Sequence, residues 1–354
     1  MKILKKIKIR KIILKNKVCV APMCQYSAKN GNPTKWHFTH LEKLMNVGAG
    51  LMMVESTAVS KQGMITSQDL SLTNKENTTK LGRLVKYLRN VSDTKIGIQL
   101  SHSGRKGSAL VPWIKSNFPL KIKKLGWTTI APSGIKRDKN WPVPKEINKN
   151  EINKIVNDFS SAANRAKKIG FDCLEIHMAH GYLLHQFFSP ISNKRKDDYG
   201  GNLANRCKIL LEVAKRIRKI WPKDKILGAR VNGCDWLKEG SKLSDCIYLS
   251  KKLKELGLDY VCVTSGGIIP KTNLKFKHGY QVFLAKKIKK EAKILVKTTG
   301  MIKNLKQGEK IISHKSADLV SYGRKFINSP YWLLKELKTN KYPVNIPNQY
   351  KRCF

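Results

Sequence analysis

The sequence predicts an α/β protein whose single domain is a (β/α)8 TIM barrel with a long loop after the third strand. Eight short β-rich runs, each followed by a stretch of helix length, are the first ground for this prediction. Eight such units imply an all-parallel sheet, which closes naturally into a barrel. The second ground is that no G-x-G-x-x-G motif follows the first strand, where an open dinucleotide-binding sheet would carry it. The length of 354 residues suits one barrel domain over 1–354.

The elements follow one another in a regular order. The first 17 residues alternate basic and apolar side chains with a period near two, which predicts a β-hairpin over 1–17 rather than a targeting helix. The eight predicted strands are 18–22, 50–59, 95–102, 171–178, 225–232, 259–266, 292–300 and 317–324. The predicted helices are 36–47, 75–90, 149–168, 203–220, 242–256, 281–291, 304–314 and 330–338. Loop 103–147 has no periodic pattern, which is typical of a lid or site wall, and a tail over 340–354 follows the last helix.

The formal charge of +46 raises the question of a nucleic-acid or membrane partner. Lys outnumbers Arg by about four to one, and the lysines are spread along the chain instead of clustering with aromatic residues. We interpret the charge as AT-rich codon usage and expect no dedicated nucleic-acid or membrane partner. The eight cysteines form no C-x-x-C, and no apolar run approaches the length of a membrane span. This pattern predicts a cytoplasmic protein without a metal or iron–sulfur site.

The histidines that follow the fourth predicted strand are the first candidate site. His177 and His180 stand three apart, a spacing that could suit a metal, but the other strand ends offer Gln99 and Arg230 rather than carboxylates. Residues three apart on a flat strand face opposite sides. We therefore expect the strand to end near residue 178 and the chain to turn at Gly181, which brings both imidazoles to the barrel mouth. His185 is expected beyond the turn and receives no chemical role.

The last two strand ends predict an anion site. Gly300 and Gly323 let the backbone approach a phosphate, and Arg324 can add a charged contact. The carboxamide of Gln99 has the donor and acceptor that the pyrimidine edge of a flavin requires. Arg230 supplies a cation for the charge of a reduced flavin.

The sequence resembles the Old Yellow Enzyme family of flavin-dependent ene-reductases, and is most similar to its bacterial NADPH dehydrogenase and xenobiotic-reductase branch. The likeness runs from about residue 13 to the C-terminus. It rests on the motifs APMCQYS (21–27), VESTAV (54–59), GIQLSHSGRK (97–106), WTTIAPSGI (127–135), EIHMAHGYLLHQFFSPISNKRKDDYGG (175–201), NR (205–206) and YGR (322–324).

This resemblance implies non-covalent FMN, reduced by NADPH, and an α,β-unsaturated carbonyl compound as the second substrate in a ping-pong hydride transfer. The positions that match the family's flavin contacts are Ala21, Pro22, Met23, Cys24, Ser56, Gln99, Arg230, Gly300, Gly323 and Arg324. Cys24 matches a thiol that tunes the flavin potential, and Tyr26 matches a ligand contact. His177 and His180 match the pair that hydrogen-bonds the substrate carbonyl, and Tyr182 matches the proton donor.

The tail QYKRCF resembles that of a subgroup in which the arginine, here Arg352, enters the active site of a neighbouring subunit. The resemblance therefore implies a homodimer or homotetramer. The sequence departs from the family pattern at Asn232 and in the threonines before Gly300. Two alternatives stay open: a degraded or repurposed flavin barrel, and an FMN-dependent RNA reductase of the dihydrouridine type, whose NxGCP loop is missing here.

Overall fold

A closed barrel of eight parallel strands forms the centre of the protein in a computed structural model of the chain. The structure describes residues 1–116, 118–120, 126–270, 272, 274, 276–344 and 346–353. The strands are β1 (Ile7–Ile9), β2 (Ile12–Leu14), β3 (Val18–Val20), β4 (Leu51–Ala58), β5 (Lys95–Ser101), β6 (Ile130–Ala131), β7 (Lys145–Glu146), β8 (Cys173–Met178), β9 (Ile226–Asn232), β10 (Tyr260–Thr264), β11 (Leu295–Thr298) and β12 (Leu319–Tyr322). Around the barrel their order is β3, β4, β5, β8, β9, β10, β11 and β12, which closes on β3. The predicted (β/α)8 fold is confirmed.

Helices follow the barrel strands and cover its outer face. They are α1 (Lys35–Met45), α2 (Lys75–Val91), α3 (Pro112–Lys115), α4 (Lys149–Ile169), α5 (Leu183–Phe188), α6 (Leu203–Ile220), α7 (Leu243–Glu255), α8 (Val282–Ala292), α9 (Leu305–Ser313), α10 (Arg324–Asn328) and α11 (Trp332–Thr339). Eight of them are predicted from the sequence, and the short helices α3, α5 and α10 are not. Each of these three has six residues or fewer, too short for an amphipathic period to emerge.

Helix α4 illustrates how local sequence sets these boundaries. The Asn148 side chain accepts a hydrogen bond from the backbone N–H of Glu151, whose carboxylate accepts one from the Asn148 N–H, forming a capping box. The helix ends at Gly170, whose φ of +94° is a left-handed conformation that glycine adopts readily. Between these caps, apolar side chains at helical spacing pack on the barrel, among them Ile152, Ile155 and Phe159.

The N-terminal end of the barrel is closed by a hairpin. Strands β1 and β2 pair antiparallel, and Ile9 and Leu14 pack with barrel residues such as Leu51 and Tyr260 in one buried apolar cluster. This cluster lies at the start of the strands, opposite the end where β/α loops emerge. Ligands of the barrel therefore have the C-terminal mouth as their site, as in other barrels of this class.

The connection between β5 and α4 is long and partly structured. It contains α3 and a two-strand parallel ladder of β6 and β7, which Arg195 braces through hydrogen bonds to the carbonyl oxygens of Pro132 and Ile147. Residues 117 and 121–125 of the predicted 103–147 loop, like 345 and 354 of the predicted tail, lie outside the described residues. Over the part of the chain that is described, no helix is long and apolar enough to cross a membrane.

Candidate active site at the barrel mouth

The turn after β8 brings three polar side chains together. Strand β8 ends at Met178, and the chain then passes through left-handed conformations at His180 (φ +56°) and Gly181 (φ +72°). This reversal places His180 Nδ1 3.2 Å from His177 Nε2. The ring centroids of His177 and Tyr182 lie 4.7 Å apart. The strand therefore stops and turns at the rim of the barrel, and both imidazoles lie on the same side of it.

A chain of hydrogen bonds defines the protonation of the two imidazoles. His177 Nδ1 accepts the backbone N–H of Ala179 at 3.2 Å, so its proton resides on Nε2 and is donated to His180 Nδ1. His180 Nε2 then carries the second proton and donates it to Thr264 Oγ1 at 2.9 Å. The Thr264 hydroxyl in turn donates to Gln281 Oε1 at 3.1 Å. Both rings are therefore neutral hydrogen-bond donors.

Electrostatics keep these rings neutral. Burial lowers the pKa of His177 and His180 well below the usual histidine value, and the positive charge of Arg230 lowers it further. Arg230 lies on β9 directly opposite His177 in the parallel ladder. An imidazolium would be repelled in this position, so the pair acts as neutral N–H donors across the ordinary pH range.

Tyr182 has the properties of a protonated phenol. Burial, above all, raises its pKa above the usual tyrosine value, so its hydroxyl keeps its proton. Lys106 lies beside it, with Nζ 5.0 Å from the centre of the tyrosine ring. The same Nζ donates to the carbonyl oxygen of His180 at 2.6 Å, and burial lowers the pKa of Lys106 to about 7. Lys106 thus ties loop 103–147 to the histidine turn.

His185, to which the sequence assigned no role, stabilises the turn after β8 through a hydrogen bond to the backbone of Gly181. Its Nδ1 accepts the backbone N–H of Gly181 at 2.7 Å, and its Nε2 lies 2.9 Å from Asp235 Oδ1. Both side chains are fully buried, and Asp235 also accepts hydrogen bonds from Ser189 and Ser241. Burial opposes ionisation of Asp235, but the contacts to His185 and the serines hold its pKa below the usual value. No local pattern in the sequence reveals this pair, because its partners come from separate β/α units.

Gly181 is expected to be irreplaceable in this turn. A Cβ atom at Gly181 would collide with the carbonyl oxygen of Gly267, and its φ of +72° disfavours any other residue. Gly201 has a matching φ of +74°, but a Cβ atom there would meet nothing within 4 Å, which makes Gly201→Ala the control. We expect Gly181→Ala to lower the free energy of unfolding by about 3 kcal/mol and Gly201→Ala by about 1 kcal/mol. If urea unfolding shows that the two variants lose the same free energy of unfolding, the close contact between Gly181 and Gly267 does not explain the effect.

A cavity of about 260 Å³ opens between the ends of β3, β9, β11 and β12. Its lining includes seven of the ten residues assigned to the cofactor: Ala21, Pro22, Met23, Arg230, Gly300, Gly323 and Arg324. Two polar atoms in the wall, Arg230 Nε and Ser321 Oγ, are buried without a hydrogen-bond partner among the described residues. Buried polar groups are normally paired, so these atoms indicate a polar ligand. Glycine backbone, an arginine and unpaired donors fit the phosphate and ring system of FMN.

The remaining assigned residues lie on the neighbouring strands β4 and β5 and in the connection after β3. Ser56 pairs in register with Gln99, next to an irregularity in β4. Cys24 and Tyr26 share an apolar cluster with Tyr182, and burial raises the pKa of the Cys24 thiol well above its usual value. Arg352, by contrast, is exposed in the last turn of a 3-10 helix (Asn348–Cys353) and forms no hydrogen bond or ion pair with any described residue. One chain therefore assembles every assigned residue except Arg352.

Comparison with known proteins places this geometry in context. The sequence model of the NADH:flavin oxidoreductase / NADH oxidase family matches residues 2–342. The chain is 41% identical over 346 residues to NADH:flavin oxidoreductase FG08077 of Gibberella zeae, covering 93% of this chain and 83% of that protein. It is 37% identical over 359 residues to the NADPH dehydrogenase of Clostridium acetobutylicum, with 100% of both chains covered. The fold also matches the Old Yellow Enzyme homologue of Zymomonas mobilis, with a TM-score of 0.79, 22% identity, and coverage of 98% of this chain and 94% of that one.

Proposed function

Because the chain belongs to the NADH:flavin oxidoreductase / NADH oxidase family, to which the Old Yellow Enzymes belong, we propose that it reduces activated C=C bonds of α,β-unsaturated carbonyl compounds. The protein is an oxidoreductase with FMN as cofactor and NADPH as reductant. The observation that carries the proposal is the placement of three side chains, His177, His180 and Tyr182, beside the cavity that fits FMN. Arg230 connects these side chains with the cavity, since it lines the cavity and pairs in register with His177.

FMN held at this site would supply the hydride chemistry that joins NADPH to an electron-poor alkene. The residues proposed to hold it are Ala21, Pro22, Met23, Cys24, Ser56, Gln99, Arg230, Gly300, Gly323 and Arg324. Arg230 offers the positive charge that favours a reduced, anionic flavin, and the half-buried Cys24, whose thiol is neutral, adds no charge of its own.

The histidine pair polarises the substrate carbonyl in this proposal. The N–H of His177 now points at His180 Nδ1, and a carbonyl oxygen that faces both ring nitrogens competes for this hydrogen bond. The Thr264 hydroxyl can reverse its role and donate to His180 Nε2, which leaves the proton of His180 on Nδ1. Both imidazoles then donate to one oxygen and stabilise the enolate charge that develops there.

Tyr182 completes the reduction as general acid. Its hydroxyl proton goes to the α-carbon while the hydride arrives at the β-carbon, so the alkene gains two hydrogens and the phenolate is later reprotonated from solvent. The high pKa of Tyr182 ensures that the proton is present at neutral pH. Tyr26, in the same apolar cluster, is proposed to contact the ligand.

The chain is proposed to act as a single FMN-binding domain over 1–354, with the 1–17 hairpin, the 103–147 loop and the 340–354 tail as its parts. We propose further that Arg352 completes the pocket of a neighbouring subunit in a homodimer or homotetramer. Its exposure and the packing of Tyr350 on Tyr331, with ring centroids 5.6 Å apart, support a tail held at the surface and available to a second subunit.

The proposed function is tested by following the flavin spectrum of the FMN-loaded protein without oxygen. We expect NADPH to bleach the yellow colour and one equivalent of 2-cyclohexenone to restore it, with cyclohexanone as the product. Cyclohexene, which has the double bond but no carbonyl, is the matched control and should restore nothing. If NADPH bleaches the flavin but only oxygen, and not the enone, reoxidises it, the protein is a NADPH dehydrogenase that does not reduce the alkene. That result would contradict the proposed ene reduction.

A further inference from the structure

A lysine is buried inside the barrel beneath the proposed flavin site. Lys297 lies on β11 with no exposed surface, and its Nζ is 2.6 Å from Oε2 of Glu175, which is also fully buried. Tyr260 donates to the same carboxylate oxygen at 2.8 Å, and Lys297 Nζ lies 3.4 Å from the Tyr260 hydroxyl. Gly228 makes room for this arrangement, since a Cβ atom there would collide with the Tyr260 ring. A charged pair in this position is costly to bury and calls for a function.

The second oxygen of Glu175 determines the orientation of Gln99. Gln99 Nε2 donates to Glu175 Oε1 at 2.7 Å. A carboxylate accepts hydrogen bonds and cannot donate them, so only the amide nitrogen of Gln99 can face it. The carbonyl oxygen Oε1 of Gln99 consequently points away from Glu175, and no group among the described residues donates to it.

We propose that the Lys297–Glu175 ion pair is a positioning device that keeps the Gln99 carboxamide in one orientation, with its acceptor oxygen presented to the N–H of the flavin pyrimidine ring. The inference rests on the proposed function only in placing FMN at this mouth. Lys297 touches neither cofactor nor substrate, so it acts through Glu175 and Gln99.

The positive charge of Lys297 keeps Glu175 ionised, and the orientation of Gln99 depends on this charge state. Burial alone would raise the pKa of Glu175, but attraction to Lys297, and after it to Arg230, holds the pKa below the usual value. The other titratable groups facing the pair are Cys19, Cys173, Cys262 and Tyr260, whose pKa values burial raises, so all are neutral. Without the lysine, burial of Glu175 is opposed mainly by the weaker attraction to Arg230, so we expect the pKa of its carboxyl group to rise and the group to take up a proton as the pH is lowered. The resulting carboxylic acid can donate to Gln99 Oε1, which allows the carboxamide to flip.

The test is the pH dependence of FMN affinity in Lys297→Met, measured by quenching of FMN fluorescence. We expect the ratio of the variant's Kd to that of the unaltered protein to be about tenfold larger at pH 6 than at pH 8.5, the value of one hydrogen bond lost when Gln99 flips. Isotope-edited infrared spectra of the variant at pH 6 should contain a protonated glutamic acid band that the unaltered protein lacks. A merely structural lysine would weaken binding equally at both pH values, and that outcome would overturn the proposal.

Two further variants keep the test decisive. Lys289→Met removes a half-buried lysine that pairs with Asp318 at 2.8 Å on the outside of the barrel, and its Kd ratio should not change with pH. Lys297→Met/Glu175→Gln leaves no unpaired charge and serves if the single variant does not fold. In this double variant a neutral carboxamide replaces the Glu175 carboxylate and permits both orientations of Gln99. We therefore expect FMN to bind more weakly than in the unaltered protein, by a factor that does not depend on pH. Binding as tight as in the unaltered protein would refute the proposal. These affinities do not depend on alkene reduction, so failure of the proposed activity would be recognised separately.

Discussion

Replacing both His177 and His180 with alanine is expected to slow reoxidation of the reduced protein by 2-cyclohexenone about 10³-fold. Removing a single donor from an oxyanion site typically costs a factor of about 10²–10³, and donors that hold the same oxygen do not contribute additively. The structure places the two ring nitrogens 3.2 Å apart, so one carbonyl oxygen can face both. Stopped-flow measurement of reoxidation at saturating enone separates this loss from weaker binding.

The reduction of the same variant by NADPH is expected to change less than tenfold, because that half-reaction develops no charge on a carbonyl oxygen. His40→Ala is the control, since His40 is buried on α1 and belongs to no part of the proposed site. The depressed pKa values of His177 and His180 also predict that neither ring gains a proton between pH 8 and 6, where an ordinary imidazole does. Lys106, whose pKa is about 7, titrates in this window, so the pH profile is measured in the Lys106→Met variant, where we expect a flat rate. A rate that still falls in that variant as the pH drops through 6.5 would show that the rings act in another charge state.

Tyr182→Phe is expected to slow the same reoxidation by about 10²–10⁴-fold, the usual contribution of a general acid. The phenyl ring preserves the packing against His177, whose ring centroid lies 4.7 Å away, so the loss reports the hydroxyl and not the fold. FMN binding and reduction by NADPH should remain within a factor of about two of the unaltered protein. Stopped-flow traces with NADPH and with enone measure the two halves independently.

Tyr199→Phe removes a hydroxyl that bonds Glu212 outside the mouth and should leave both half-reactions unchanged. An alkene that needs no proton at its α-carbon, such as a nitroalkene released as its nitronate, should be reduced by Tyr182→Phe almost as fast as by the unaltered protein. If nitroalkene and enone lose rate equally, Tyr182 is not the proton donor.

The local parts of the fold and site were accessible from sequence because short-range patterns encode them. Alternating strand and helix stretches identified the barrel, and a strand followed by Gly181 predicted the end of β8 and the turn that the structure contains. The short helices α3, α5 and α10 gave no periodic signal. The residues at the strand ends could be predicted to lie together, since the parallel strands of a barrel end at the same mouth.

The supporting contacts could not be predicted, because they join segments far apart in the chain. His180 and Thr264 are separated by 84 positions, and neither pattern nor spacing marks them as partners. Lys297 appeared in the sequence as a polar interruption of a strand, and only the closed barrel brings it to Glu175. His185 had no visible role until folding placed Gly181 on one side of its ring and Asp235 on the other.

The buried apolar cluster between the hairpin and the N-terminal end of the barrel determines from which side substrates can approach. Ile9 and Leu14 pack against the starts of the barrel strands, so among the described residues the interior of the barrel is closed at this end. We therefore expect NADPH and the proposed alkene to reach the flavin through the C-terminal mouth. Two substrates that share this one approach have to bind in turn, which is the order that the proposed ping-pong mechanism requires.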